Sequence, residues 1–271
     1  MRHSLAGLAI SLLLTLTACS SLPEGGLDTV DQKLSADELY SKAKGQMQDG
    51  DYEQAVKSLE RLQSRYPYGR YAQQAQLDIA YAWYKKDEPA PALSALDRFT
   101  KQFPRSDALD YVLYLKGLIN FDENLNSYFS TLFMQDPAER DPATLRASFD
   151  AFKELVTRYP QSRYAEDARQ RMQYLLVTLA KHEIAIASYY LRRGAYVAAV
   201  NRAQGVLTDF PDTPQTRDAL QIMVQGYARL GLNDLSRDTQ RVLDLNIARD
   251  GLRPSVSFFK EEESPWWKFW E

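Results

Sequence analysis

An aromatic–proline pair recurs four times in this 271-residue chain, at Tyr66-Pro67, Phe103-Pro104, Tyr159-Pro160 and Phe210-Pro211. Successive pairs lie 37, 56 and 51 residues apart. A marker with that period constrains the fold, because it divides the chain into supersecondary units too small to bury an apolar face alone. The proline ends a helix, since it lacks an N–H and clashes with the preceding turn. Upstream, Gly50 in Gly50-Asp51-Tyr52 and Gly194 in Gly194-Ala195-Tyr196 each precede their proline by 17 residues. Glycine at that place permits a positive φ between two helices. A small residue follows at the matching position of three units (Ala55, Ala92, Ala199), where it lets the second helix approach the first. Gly231-Leu232-Asn233 forms a further turn of this kind.

This pattern resembles the tetratricopeptide repeat, a helix–turn–helix unit of about 34 residues. The resemblance implies an all-α fold, a right-handed superhelical solenoid of five helix pairs. The pairs are expected at 36–49 and 52–66, 70–86 and 89–103, 106–121 and 142–159, 163–193 and 196–210, and 215–230 and 233–248. Two departures from the period stand out. The third unit carries extra residues between its helices, from Asp122 to Asp141, after which Asp141 as N-cap and Pro142 at N1 restart a helix. The first helix of the fourth unit, 163–193, has no internal Gly or Pro and is about twice the usual repeat helix, about 46 Å at 1.5 Å per residue.

The chain begins with a basic start, Met1-Arg2-His3, and an apolar run from Leu5 to Leu16. That is the pattern of a secretory signal, too short for a helix that spans a bilayer. It ends in Leu16-Thr17-Ala18-Cys19, which resembles the bacterial lipobox, with Cys19 the only cysteine in the chain. The resemblance implies cleavage before Cys19 and a diacylglycerol plus an N-acyl chain on it, enough for stable anchoring. Ser20 in place of Asp implies onward export to the outer membrane. The organisation expected is therefore a signal peptide at 1–18, an acylated linker at 19–35, substrate-side repeats at 36–125, an insertion at 126–141, partner-docking repeats at 142–248 and an aromatic tail at 249–271.

Composition excludes several functions. The 33 basic and 36 acidic residues give a net charge of −3, and loss of Arg2 with the signal takes it to −4. That balance provides no electrostatic footprint for nucleic acid. A single cysteine excludes a disulfide framework and thiolate zinc sites. His182 is the only histidine after the signal, so a catalytic triad or a His-rich metal site would have to rest on it alone. No glycine-rich phosphate loop or nucleophile elbow is present. The expectation is a non-enzymatic protein without a metal or other cofactor beyond the lipid on Cys19.

Tyrosine is abundant at 17 residues. In the repeat register, the concave face falls on Tyr40, Lys44 and Met47 in the first unit and on Gln74, Leu77, Tyr81 and Tyr84 in the second. In the third it falls on Tyr111, Tyr114 and Phe121, with Gly117 setting the register. A groove of tyrosines suits a peptide, because the ring offers large apolar area, a hydroxyl and little rotamer entropy to lose. The alternative is that these rings are inter-repeat core.

Several stretches resemble the BamD family, lipoproteins of the outer-membrane β-barrel assembly machinery. They are Arg65-Tyr66-Pro67-Tyr68-Gly69 with Gln73-Gln74-Ala75-Gln76-Leu77-Asp78, Asp110-Tyr111-Val112-Leu113-Tyr114, Arg140-Asp141-Pro142, Tyr189-Tyr190 followed by Arg193-Gly194-Ala195, and Asp209-Phe210-Pro211-Asp212-Thr213. The resemblance covers roughly residues 35–245. It implies a scaffold on the periplasmic face of the outer membrane that receives unfolded barrel precursors on its N-terminal repeats. Its C-terminal repeats would dock the periplasmic domains of the central barrel subunit BamA, and other lipoproteins of the complex would attach as well. Arg193 corresponds to an arginine implicated in contact with BamA; its alternative role is pairing with the helix dipole. A different periplasmic repeat lipoprotein, serving envelope or peptidoglycan assembly, would share the repeats but not the stretches around Tyr66–Asp78 and Arg193. A peptidoglycan-cleaving enzyme would need a separate catalytic domain for which no residues remain. The resemblance does not reach the tail, where Phe258-Phe259, Glu261-Glu262-Glu263 and Trp266-Trp267-Lys268-Phe269-Trp270 hold three of the chain's four tryptophans. Such a segment can fold back on the solenoid, bind a partner or enter a membrane interface.

Overall fold

The computed structural model describes residues 34–125 and 142–250. Cys19, the 126–141 insertion with Asp141, and residues 251–271 of the aromatic tail lie outside the described residues. Among those described, the secondary structure is ten α-helices and no strand. They are α1 (Ala36–Gln48), α2 (Tyr52–Arg65), α3 (Arg70–Lys85), α4 (Pro89–Gln102), α5 (Leu109–Leu125), α6 (Ala143–Arg158), α7 (Ala165–Arg192), α8 (Tyr196–Asp209), α9 (Gln215–Arg229) and α10 (Asn233–Asp250). The all-α architecture of five successive helix pairs is the one the repeat implies.

Local sequence accounts for the ends of these helices. Ser35 and Glu38 form a capping box at α1: Glu38 N–H donates to Ser35 Oγ (3.3 Å) and Ser35 N–H to Glu38 Oε2 (2.8 Å). Asp51 caps α2 by accepting from Gln54 N–H (3.3 Å). The turns inside the helix pairs place Gly50, Gly194 and Gly231 at φ near +75 to +79°. In the second pair that left-handed position is held by Asp87 (φ 59°), whose short polar side chain tolerates it better than a bulky one. Each turn closes with the same two bonds, as in Gly194 N–H to Leu191 O (3.2 Å) and Ala195 N–H to Tyr190 O (3.0 Å). At α6 the expected cap is corrected. Pro142, not Asp141, occupies the cap position, because its own carbonyl already accepts from Arg146 N–H (2.9 Å).

The chain divides into two compact units, one ending at Ala82 and the other beginning at Trp83, so the last turn of α3 belongs to the second. In the first unit, Leu39, Ala43 and Met47 of α1 are buried, as are Ala55, Leu59 and Leu62 of α2. Those spacings put one stripe of each helix inward. Two core clusters of the second unit lie among the described residues. Leu113, Leu118 and Phe121 of α5, Leu145, Phe152 and Leu155 of α6, and Ala168, Leu175 and Leu179 of α7 make the first. Ala180 and Ala187 of α7, Val200 and Val206 of α8, and Ile222 and Met223 of α9 make the second. Helix α7 is 28 residues, about 42 Å, because its two halves serve different cores. Glu183 fastens its middle to both flanking helices, pairing with Arg146 of α6 (3.3 Å) and Arg202 of α8 (2.9 Å).

Candidate functional site

The residues proposed for a groove fall in both units, and each unit has its own arrangement. In the first, Tyr40 of α1 is half-buried with its ring 5.2 Å from that of Tyr71. Its hydroxyl donates to Asp78 Oδ2 (2.9 Å), and Gln74 Nε2 donates to Asp78 Oδ1 (3.2 Å). Lys44 pairs with the same carboxylate at 3.7 Å. Three residues of the expected concave face therefore converge on one buried aspartate. Gln74 remains exposed and Tyr81 half-buried. Burial raises the hydroxyl pKa of Tyr40 and Tyr81, with the Asp78 charge adding to it.

In the second unit the hydroxyl of Tyr84 donates to Asp122 Oδ2, and that of Tyr114 donates to Asp167 Oδ2 (2.8 Å). Tyr114 is buried and stacks on Tyr164 with ring centroids 4.6 Å apart. Tyr111 is half-buried, 5.7 Å from the same Tyr164 ring. Arg171 of α7 holds the two acidic groups in one field: its Nε donates to Asp167 Oδ2 (2.6 Å), and its guanidinium lies over the Phe121 ring at 4.9 Å. Burial is the largest influence on Tyr84 and Tyr114 and raises both hydroxyl pKa values.

The carboxylates Asp78, Asp122 and Asp167 are the residues that a reading of tyrosines alone misses. A signal for two of them lies in the sequence, since Asp78 follows Tyr40, and Asp122 follows Tyr84, by 38 residues. That is close to one repeat, so each tyrosine reaches a carboxylate on the first helix of the next repeat, within the same compact unit. Tyr114 and Asp167 are 53 apart because the insertion intervenes.

Asp122 gives this network a pH dependence. Burial holds its carboxyl above the ordinary value, although the Tyr84 hydrogen bond and the Arg171 charge pull it down. The native state therefore takes up this proton at a pH where the unfolded chain is still ionised. Asp122 adds stability as the pH falls from its raised native pKa to the ordinary carboxylate value, and that gain is absent above the native pKa. Asp122→Asn should remove this contribution. Urea unfolding of both proteins at a series of pH values should show a smaller acid-side gain in the variant, and identical slopes would contradict the assignment.

A second surface surrounds Arg193, the C-cap of α7. Its backbone N–H bonds Tyr189 O (3.0 Å), while its exposed side chain makes no ion pair among the described residues. Tyr189 is 51% exposed and Val197 59% exposed, each four residues from Arg193 along the chain. The Tyr189 ring is supported edge-on by Tyr190 at 5.9 Å, and Tyr190 packs on the second core. An unpaired guanidinium flanked along the chain by exposed apolar groups has the chemistry of an interface anchor. Among the described residues, no group of three or more His, Cys, Asp or Glu could hold a metal ion, and no helix is long and apolar enough to cross a membrane.

The YfiO outer membrane lipoprotein family matches residues 32–243. The chain is 41% identical over 270 residues to the outer membrane protein assembly factor BamD of Neisseria meningitidis serogroup B, covering 97% of this chain and 98% of that one. It is 41% identical over 245 residues to BamD of Vibrio cholerae serotype O1, covering 90% and 98%. For BamD of Xylella fastidiosa strain Temecula1 the identity is 34% over 244 residues, covering 90% and 82%. With a family match over most of its helices and relatives aligned almost end to end, this chain belongs to the YfiO family of outer membrane lipoproteins, to which it is joined through the BamD proteins.

Proposed function

We propose that this chain is an outer-membrane protein assembly factor, a non-catalytic scaffold held on the periplasmic face by the lipid on Cys19. It docks the periplasmic domains of BamA and receives unfolded barrel precursors, with other lipoproteins of the complex attached. The observation that carries the assembly role is the 41% identity to a BamD protein over 97% of this chain. The docking surface rests on Arg193, whose free guanidinium and exposed Tyr189 and Val197 neighbours are suited to a partner with a carboxylate and an apolar rim.

Copurification tests the role. The native chain, extracted from outer membranes in detergent, should bring a large β-barrel subunit with it; its absence would remove the assembly reading. Mass analysis of the mature N-terminal peptide tests the anchor, which fails if Cys19 carries no acyl mass. Cys19→Ser should abolish processing and acylation while leaving a folded protein.

Each unit is assigned its own precursor-facing residues: Tyr40, Gln74 and Tyr81 in the first, and Tyr84 and Tyr111 in the second, where the buried Tyr114 supports them from the core. Tyr84 and Tyr114 carry core contacts, so truncating them would confound binding with folding. Tyr81→Ala is the cleaner probe. It should weaken crosslinking to the C-terminal peptides of barrel precursors by about 2 kcal/mol, the scale of an aromatic hot spot. Tyr84→Phe, which keeps the ring, should bind as wild type. Unchanged crosslinking in Tyr81→Ala would take that residue off the surface.

A further inference from the structure

Six of the nine large hydrophobic side chains that stand exposed among the described residues lie between positions 230 and 247. On α10 they form a stripe. Leu235, Val242 and Leu245 are 46%, 46% and 71% exposed, and at 100° per residue they fall within about 80° of one another. The inward face of the same helix is separate: Thr239 and Leu243 are buried, and Ser236 Oγ donates to Val224 O of α9 (3.0 Å). Leu230 and Leu232, in the turn before α10, extend the apolar surface. That outer face stands exposed among the described residues, and an exposed apolar face of a repeat needs polar residues or a cap to stay soluble. Polar substitution has not occurred here.

The residues that follow Asp250 supply what the stripe lacks. Phe258, Phe259, Trp266, Trp267, Phe269 and Trp270 all fall within the next 20 positions. A segment that remains in water is normally poor in aromatic residues. Reach is sufficient. Leu235 lies about 22 Å back along the helix axis from Asp250, and the eight residues to Phe258 span up to about 27 Å when extended. A tethered segment also meets its site at an effective concentration in the millimolar range, which favours it over a free partner or a second copy. Glu261, Glu262 and Glu263 disfavour anionic lipid as the aromatic residues' destination.

We propose that residues 251–271 of this chain cover the Leu235–Val242–Leu245 stripe of α10 and serve as the cap of the repeat stack. This is independent of the assembly role, and either can fail without the other.

Tryptophan fluorescence reads it directly, because Trp83 is the only tryptophan outside the tail. Residues 19–271 expressed without the signal, with Cys19→Ser and Trp83→Phe, should show blue-shifted emission and slow acrylamide quenching in dilute solution, independent of protein concentration. Val242→Asp with Leu245→Asp should shift the emission to that of tryptophan in water and raise quenching several-fold, with helical circular dichroism unchanged. Leu245→Gln, at the most exposed site of the stripe, should move both readouts in the same direction by less. That single change keeps the test valid should the double variant lose helix. Water-like emission before any stripe substitution, or protection that the stripe variants leave intact, overturns the proposal. So does protection that appears only as protein concentration rises, which assigns the surface to a second copy. Protection only on adding phosphatidylethanolamine–phosphatidylglycerol vesicles assigns the aromatic residues to lipid and overturns it equally.

Discussion

Replacing Gly117 with alanine should destabilise the second unit by about 1–3 kcal/mol, although the same change in an open helix stabilises. Gly117 lies in α5 where that helix crosses α6. A Cβ there would fall 2.3 Å from Phe152 Cε1 and 2.6 Å from Cδ1 and Cζ. Phe152 cannot retreat, since it is wholly buried with Tyr114 packed beside it at 6.1 Å. The backbones are further pinned by Ser148 Oγ, which donates to Gly117 O (2.9 Å). Helix propensity alone would favour alanine by about 1 kcal/mol, and the steric term should outweigh it. Gly205 in α8 provides the control, because nothing lies within 4 Å of its added Cβ. Gly205→Ala should therefore raise the urea midpoint while Gly117→Ala lowers it. Adding Phe152→Leu to Gly117→Ala should recover part of the loss, a non-additivity that identifies the contact. Equal shifts for the two glycines would mean that this crossing has room to relax.

Helices were legible because their signals are local. The aromatic–proline pairs and the turn glycines fix the ends of most helices to within a residue or two, from Tyr52–Arg65 to Tyr196–Asp209. Helix α5 is the exception at both ends: it continues through Asp122 to Leu125 where the expected helix stops at 121, and its later start has a local cause. Leu109 N–H bonds Ser106 O (3.4 Å) and Ala108 N–H bonds Ser106 Oγ (3.2 Å), so 106–108 form a turn before the helix starts. Asp87 shows the limit of residue-type rules, since it takes a left-handed position that glycine holds in other pairs. Side-chain partners were much less legible. Tyr40 and Tyr114 both lie on the first helix of a pair, in the first and third repeats, yet one is half-buried and the other buried. What separates them is the neighbour each meets: a single tilted Tyr71 ring in one case, and Phe152 and Tyr164 together in the other. Those neighbours come from other helices, and repeat spacing alone does not name them. The aspartates were hidden for the same reason, since a carboxylate in a helix reads as solvated until a hydroxyl from the preceding unit is placed against it.

Arg193→Leu should cost most of the association with BamA while leaving the fold intact. The guanidinium is exposed and unpaired among the described residues, so its removal breaks no internal bond, and stability should stay within about 1 kcal/mol of wild type. Its backbone contribution to the end of α7, the N–H bond to Tyr189 O, survives any side-chain change. Loss of an arginine anchor at an interface commonly costs about 2 kcal/mol or more, which corresponds to roughly a 30-fold weaker complex. Arg193→Lys should recover only part of that, because an ammonium keeps the charge but cannot present two parallel N–H groups to a carboxylate. Gly194→Ala separates the surface from the turn that carries it. Its Cβ would meet only Tyr196 Oη, at 3.9 Å, so the penalty is the φ of +78°, about 1–2 kcal/mol for a non-glycine residue. That variant should lose stability first and binding only as a consequence, the reverse of Arg193→Leu. Copurification and thermal unfolding measured on all three variants distinguish the roles. If Arg193→Leu loses stability in step with binding, the side chain fastens the end of α7 through its dipole; if copurification is unchanged in both Arg193 variants, the docking surface lies elsewhere.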